Sequence, residues 1–418
     1  MPHVGSVVRA VVAGFIGTST IAQTVHVVDD QPGPGVGFTD VQAAVDAAAS
    51  GDVLLIHPGS YGTVVIDGKA LTLQGVGALQ ASFPAFFPVL PFAAPAPPAS
   101  FQIRNVPPGQ RTIVQGLSLG AVDVGPSGSA PDGSRVDFVD VAVSGRLRIN
   151  AAQVEVHRAA GLNVHVLNGK ATFSSCTFSA PSSTQAWTAA DGIAMAVGSS
   201  TPGVGANAVV RLYDTALQGG HGYILATLPG GADALRTYAG ASASVYGASS
   251  IAGGLSIPIQ GFVLPPGYAV NAAATGAVTV HGGTLSSGLP SPTFGPVTVA
   301  PAAFPSLAAI GPTGAGGTCT LSVSAPGTPG APFLVGLAFD ASPVELSAPF
   351  AGALILAGPS AVLWSGALDG FGQASIVFSA TSWPPSLLHV PARLQAITFD
   401  APIGLFRFGQ PTLAMIAP

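Results

Sequence analysis

A cation, a carboxylate and an imidazole close together in a chain are raw material for acid–base chemistry, and Arg211, Asp214 and His221 supply such a set. A group titrating near neutrality beside a charged partner is what hydrolysis or proton abstraction requires. His221 sits in Leu217-Gln-Gly-Gly-His-Gly-Tyr223, a setting that also suits a turn, so Arg211, Asp214 and His221 stand only as weak catalytic candidates, expected as neighbours on one repeat. Asp137 and Asp140 are the nearest paired carboxylates on a strand-like run. At that spacing they point to opposite faces of a strand and cannot share a cation without a bend, so they read as surface polar positions. His157 and His165 lack a third ligand or a nearby cysteine, and no metal site is expected. Gly116-Leu-Ser-Leu-Gly120 fits a nucleophile-elbow pattern, but no amphipathic helix follows it, and Ser118 reads as a strand residue. No phosphate loop or dinucleotide fingerprint appears in strand-to-helix context, and no cofactor is expected. Cys176 and Cys319 are too few and too far apart for a disulfide framework and read as buried free thiols.

The composition makes chemistry scarce. Of 418 residues only 7% are charged, 13 basic and 18 acidic, for a net charge of −5. With Lys69 and Lys170 as the only lysines, there is no basic stripe to release counterions from a phosphate backbone, and nucleic acid is not an expected partner. The 55 Gly and 38 Pro point to many turns. The 48% apolar content is enough to offset the entropy of ordering, so the chain folds.

Residues 1–22 carry a lone Arg9, an apolar run from Ala10 to Gly17 and small residues ending at Ala22, the order of charge, core and cleavage site in a secretory signal. A secreted or cell-surface protein is expected. Later apolar stretches such as 78–100 and 349–364 are broken by Pro and Gly, so no transmembrane segment is expected after signal removal.

Thr39-Asp-Val-Gln42 reads as a capping box opening a short helix. Val41, Ala44, Val45 and Ala48 form its apolar stripe, and Ser50-Gly51 stops it. The period then changes. Strands are expected at 52–56, 63–66 and 71–74, separated by tight turns. To about residue 300 short β-branched runs recur, among them Arg135-Val-Asp-Phe-Val-Asp-Val-Ala-Val143, Gln153-Val-Glu-Val156, Asn163-Val-His-Val166 and Ala208-Val-Val-Arg-Leu212. Runs this short are too small to stand alone, whereas stacked coils extend a parallel sheet above and below and line the interior with aliphatic columns. At roughly 20–30 residues per coil this stretch holds about ten.

The segment Phe38 to Tyr61, with Gly51-Asp52, Pro58-Gly-Ser-Tyr61 and Leu71-Thr-Leu-Gln-Gly75, resembles the opening of pectin-lyase-like right-handed parallel β-helix proteins. The resemblance implies an all-β solenoid, residues 23–317, whose open end is capped by the short helix. It implies little about activity, because the fold carries lyases, hydrolases, adhesins and proteins without a known reaction. Pectate lyases of that superfamily use clustered Asp for calcium and Arg or Lys as base, and polygalacturonases use Asn-Thr-Asp, Asp-Asp, Gly-His-Gly and Arg-Ile-Lys segments. Only Gly220-His221-Gly222 matches in place, since Asp29-Asp30 precedes the helix.

From 318 to 418 the runs lengthen and alternate, as in Phe333-Leu-Val-Gly-Leu-Ala-Phe339 and Gln373-Ala-Ser-Ile-Val-Phe378, which predicts a C-terminal antiparallel β-sandwich. The Pro- and Phe-rich stretch 78–100 reads as a loop excursion, with adhesion through its phenylalanines as one alternative. Tyr61, Trp187, Tyr213, Tyr223, Tyr238 and Tyr246 are candidates to stack on sugar rings from solvent-facing rows. The functional expectation is a non-catalytic scaffold, adhesion or glycan-associated module, with a polysaccharide or cell-surface component as partner. The rival is a diverged polysaccharide lyase or glycoside hydrolase.

Overall fold

The computed structural model describes residues 23–76, 81–83, 100–125, 132–180, 192–199, 207–221, 231–255, 265–273, 275–299, 304–310, 318–345, 350–351, 353–379 and 391–415. The expected signal segment, Trp187, Tyr223 and most of the stretch 78–100 lie outside them. Among the described residues the protein is nearly all β with one helix, and that helix is not long and apolar enough to cross a membrane. Contacts divide the chain after Ala300, with Gln23–Ala300 as one compact unit.

Among the described residues of this first unit every strand pairing is parallel, and the chain returns again and again to three ladders. The first ladder begins with Val64–Asp67 and Phe101–Arg104, the second with Val25–Val28 and Val53–Ile56, and the third with Gly59–Ser60 and Ala81–Phe83. Each return adds one rung. The long strands Leu147–His157 and Val164–Ser174 pass through both the first and second ladders, with register shifts near Asn150. That bend buries Asn150 and Asn168, and the Asn168 amide donates to Asn150 Oδ1 at 2.8 Å. Residues 81–83, placed by the sequence inside a loop, are a strand of the third ladder pairing with Ser118–Leu119.

Register stacks like side chains on like. In the second ladder Leu54, Leu73, Val114, Phe138, Val156, Phe173, Leu212, Val245 and Val280 occupy one inward position on successive rungs, and all are buried. Each such side chain stabilises the fold by roughly 1.5–3 kcal/mol relative to exposure. Where the second ladder gives way to the third, one residue per rung turns left-handed: Gly116, Asp140, Arg158, Ser175, Asp214 and Gly247 all have φ between 45° and 68°. A side chain there is strained, and three of the non-glycine corners, Asp140, Arg158 and Asp214, are tied down. Asp140 accepts from Arg158 Nε at 2.7 Å, and Asp214 Oδ1 accepts the Ala248 amide.

The helix, α1, is Val41–Ala47, and its N-cap is Asp40, whose carboxylate accepts the Ala43 amide at 2.9 Å. The capping box expected from Thr39 and Gln42 does not form. Gln42 reaches outward to the first ladder, where its Oε1 accepts the Val65 amide and its Nε2 donates to Val65 O. The helix therefore covers a strand edge and satisfies its backbone, as an exposed edge demands. Lys69 Nζ donates to the carbonyls of Val45, Asp46 and Ala48, closing the C-terminus of α1 with a cation where the helix dipole favours one.

The second unit includes Pro301–Pro418. Ser306–Ile310, Thr318–Ser324 and Gln373–Ser379 form a three-stranded antiparallel sheet. A five-stranded sheet built on Pro332–Glu345 is antiparallel except for Phe350–Ala351, which pairs parallel to Leu405–Met415. Leu307, Leu321 and Val323 of one sheet pack with Phe333, Val335, Leu394 and Ala396 of the other. Ser306–Ile310 belongs to this unit, so its strands start before residue 318, where the sequence put the boundary.

Two outcomes test these packing arguments. Thr112 and Thr237 sit in inward columns with buried Oγ1 atoms that have no hydrogen-bond partner, beside Val136 and Val197 respectively. Thr112→Val and Thr237→Val are each expected to raise stability by about 1 kcal/mol, read from urea midpoints at unchanged slope. Asp52 joins the first strand to the end of α1, accepting from Thr24 N at 3.0 Å and Ala49 N at 2.8 Å, with His26 Nε2 at 3.1 Å. Burial raises its carboxyl, but these bonds outweigh it and hold it below the usual carboxylate value. Its stabilisation is complete above the unfolded value of about 3.9 and is lost as pH falls through the lower folded value. Asp52→Asn is expected to cost about 2 kcal/mol at neutral pH, with the gap to the parent closing below about pH 4 in denaturant titrations.

Candidate functional site

Two outward faces of the first unit carry polar side chains in register. On the second ladder, Asp137, Glu155, Thr172 and Arg211 occupy one outward position on successive rungs. All four are buried. The sequence placed Asp137 at the surface. Instead it lies under cover and is bonded by the Arg111 guanidinium, whose Nη1 is also 3.4 Å from Glu155 Oε1. Burial of a carboxylate is tolerable only with such a partner. Gln153 Nε2 donates to Glu155 Oε1 at 2.8 Å, and His157 Nε2 lies 3.7 Å from Glu155 Oε2. Two carboxylates and a cation are thus brought together on one flank, from positions distant in the chain.

The neighbouring outward row holds His157, Ser174, Tyr213, Tyr246 and His281. Tyr213 and Tyr246 stack with centroids 4.7 Å apart, and Tyr246 stacks on His281 at 5.0 Å. Both tyrosines are buried, and their faces lie on one another. Neither is a platform for a sugar. Tyr61 is also buried, its hydroxyl donating to His57 O at 2.8 Å, and burial pushes that hydroxyl up to about 12. Tyr238 is half-buried.

The first ladder's outward row is more accessible. Gln102, Asp123, Arg148, His165, Ala196, Arg236 and Asn271 follow one another rung by rung, and all except Ala196 are half-buried. Arg148 donates to Asp123 Oδ2 at 2.7 Å. Burial raises the Asp123 carboxyl, with Arg148 and Arg146 opposing that rise. Burial likewise lowers His165, whose Nε2 is 3.0 Å from Gly198 O. Farther along, Asp233 is held by Arg236, by the Asn271 amide at 2.7 Å and by Tyr268 N at 2.9 Å. These bonds fix the side chains across rungs.

Arg211, Asp214 and His221 fall in different settings. Arg211 belongs to the buried row of the second ladder, and Asp214 is a left-handed corner whose carboxyl burial raises. His221 accepts the Leu255 amide through Nδ1 at 2.9 Å, linking two stretches of adjacent rungs. The glycines around it have a packing reason. A Cβ on Gly219 would stand 2.2 Å from Ala232 O, and one on Gly254 2.0 Å from Gly220 O. Gly254 N and Ala232 N donate across this contact to Ala232 O and Gly220 O, so glycine is required where backbones meet.

Ser118 lies in a strand of the third ladder. Cys176 is buried and free, and burial pushes its thiol up to about 12, the state of an inert structural thiol. The side chain of Cys319 lies outside the described set. Among the described residues no three His, Cys, Asp or Glu side chains are grouped to hold a metal ion.

The Arg111, Asp137, Glu155 and His157 cluster was not among the expectations from sequence. Its signal was present once the repeats are aligned on their inward pairs: Val136-Asp-Phe138, Val154-Glu-Val156, Ala171-Thr-Phe173 and Val210-Arg-Leu212 put Asp, Glu, Thr and Arg in one column.

No family model matches the chain, and no curated protein does. Among solved structures, the full-length tailspike protein 2 of Escherichia coli O157:H7 bacteriophage CAB120 aligns at 10% identity with a TM-score of 0.22, covering 93% of this chain. The alignment spans 63% of the tailspike chain.

Proposed function

We propose that the protein is an exported right-handed parallel β-helix, residues 23–317 by the sequence reading, followed by a C-terminal β-sandwich, and that it holds an extended glycan at a cell or matrix surface without cleaving the glycan backbone. The reading rests on one observation: the half-buried polar row from Gln102 to Asn271 on the first ladder. Rungs repeat at about 4.8 Å, so the row offers planar amide, guanidinium and imidazole groups at regular intervals to a linear chain of hydroxyls. Cross-rung bonds such as Arg148 to Asp123 and Asn271 to Asp233 hold these groups in place before a ligand arrives, which limits the entropy lost on binding. Polar side chains, rather than the aromatic faces suggested by the sequence, carry the recognition. Adhesion through the stretch 78–100 lacks this support, because its residues 81–83 serve the third ladder.

A diverged polysaccharide lyase or glycoside hydrolase is the second reading. It is favoured by the raised Asp123 carboxyl beside Arg148, an acid and a cation on the same accessible row.

Affinity electrophoresis of the chain from Gln23 onward against neutral and uronate polysaccharides, with and without calcium, tests both. Retardation with unchanged polymer length is expected, weakened at least tenfold, on the order of 1.4 kcal/mol, by Arg148→Ala or Arg236→Ala at unchanged circular dichroism. Failure to bind any of the polymers overturns the glycan reading. Polymer shortening that disappears in Asp123→Asn establishes the enzyme instead.

A further inference from the structure

The buried outer face of the second ladder holds a constellation that the glycan reading leaves unused. Glu155 and His157 are two residues apart on one strand, so alternation sends both to the same face. Parallel pairing sets Ser174 directly beside His157 on the next rung, at the strand spacing of about 4.8 Å. Glu155 Oε1 accepts from Gln153 Nε2 at 2.8 Å and lies 3.4 Å from Arg111 Nη1, and Glu155 Oε2 lies 3.7 Å from His157 Nε2. His157 and Ser174 are 1% and 3% exposed, yet His157 Nε2 and Ser174 Oγ have no hydrogen-bond partner. Buried polar atoms are rarely left so. Because Nε2 is the nitrogen turned to Glu155, the nitrogen left to serve Ser174 as base is Nδ1, and the row sets out orienter, base and nucleophile.

We propose that Glu155, His157 and Ser174 form an acyl-transfer centre that hydrolyses small acyl esters of the acetyl class. Ser174 Oγ attacks the ester carbonyl carbon while His157 Nδ1, the nitrogen opposite the one facing Glu155, takes the hydroxyl proton, and the carbonyl electron pair moves onto oxygen. When that tetrahedral species collapses, the bond from carbon to the alcohol oxygen breaks and His157 delivers the proton to the leaving oxygen. Water then repeats the sequence on the acyl-serine, releasing the carboxylic acid and restoring Ser174. Glu155 orients the imidazole and balances its positive charge during each transfer. Hydrogen bonds in such sets close on substrate binding from longer separations in the free protein. The near-complete enclosure of His157 and Ser174 restricts the acyl group to a small one.

The test uses the full chain, an alkyl fluorophosphonate and 4-nitrophenyl acetate. A phosphonyl adduct on Ser174, located by peptide mass spectrometry, is expected in the unaltered protein, together with ester hydrolysis that falls about 10²–10⁴-fold in Ser174→Ala and His157→Gln. Glu155→Gln, a change to a positioning residue, is expected to lower kcat at constant KM. An unmodified Ser174 in the unaltered protein overturns the proposal whether or not a variant folds, and so does hydrolysis at the parental rate in a folded Ser174→Ala variant. Polysaccharide binding has no part in either readout, so the two readings stand or fall separately.

Discussion

A strand of two to five residues has backbone amides and carbonyls that point along the direction of stacking, and only another strand at matching register can take them. This one requirement governs the first unit. Each rung must find a rung on either side, so side chains at equivalent positions are forced into columns, and whatever type occupies a column must tolerate its own kind. Apolar side chains do so readily, as the run from Leu54 to Val280 shows. At the start of the stack the requirement appears as an edge, and Gln42 and Lys69 dock α1 over it by bonding strand and helix backbone directly.

The same columns on the outer faces explain how a chain with so few charged residues places them where they interact. A carboxylate in one rung sits beside its neighbour's cation, as in Asp67 with Arg104 at 3.0 Å, Asp123 with Arg148 and Asp140 with Arg158. Pairs open to solvent, such as Asp67 with Arg104, add little to stability, but all of these pairs favour the correct register, because a one-residue slip would turn each strand's polar side chains inward. Asp137 and Glu155, the carboxylates beside half-buried Arg111, differ in being buried. There the pairing is obligatory, since removing one partner strands a charge away from water.

Local backbone strain follows the same logic. The corner between second and third ladders needs a left-handed residue on every rung, and glycine fills it at Gly116 and Gly247. At Asp140, Arg158 and Asp214 a side chain takes the position and is bonded across to the next rung. Gly219, Gly231, Gly253 and Gly254 do a different job. They let backbones approach until a Cβ would collide with a carbonyl.

Much of the architecture was readable from order alone. The capping segment, the strands after it and the short β-branched runs are local patterns of period and turn chemistry, and each was enough to place an element. The helix cap went to Asp40 rather than Thr39 because Gln42 had a better partner in Val65, an edge the linear chain does not reveal. Outer-face neighbours were legible only in part. Glu155 and His157 share a face by strand alternation, but their approach to Arg111 and Ser174 depends on rung lengths that vary, with a short connection from Glu155 to Thr172 and a far longer one from Thr172 to Arg211. The sequence by itself determined an apolar, sparsely charged, strand-repeating chain, since composition and periodicity are properties of neighbours along the backbone. Tertiary structure alone decided which ionisable groups are buried together and which tyrosines are hidden, because those depend on the register in which distant rungs meet.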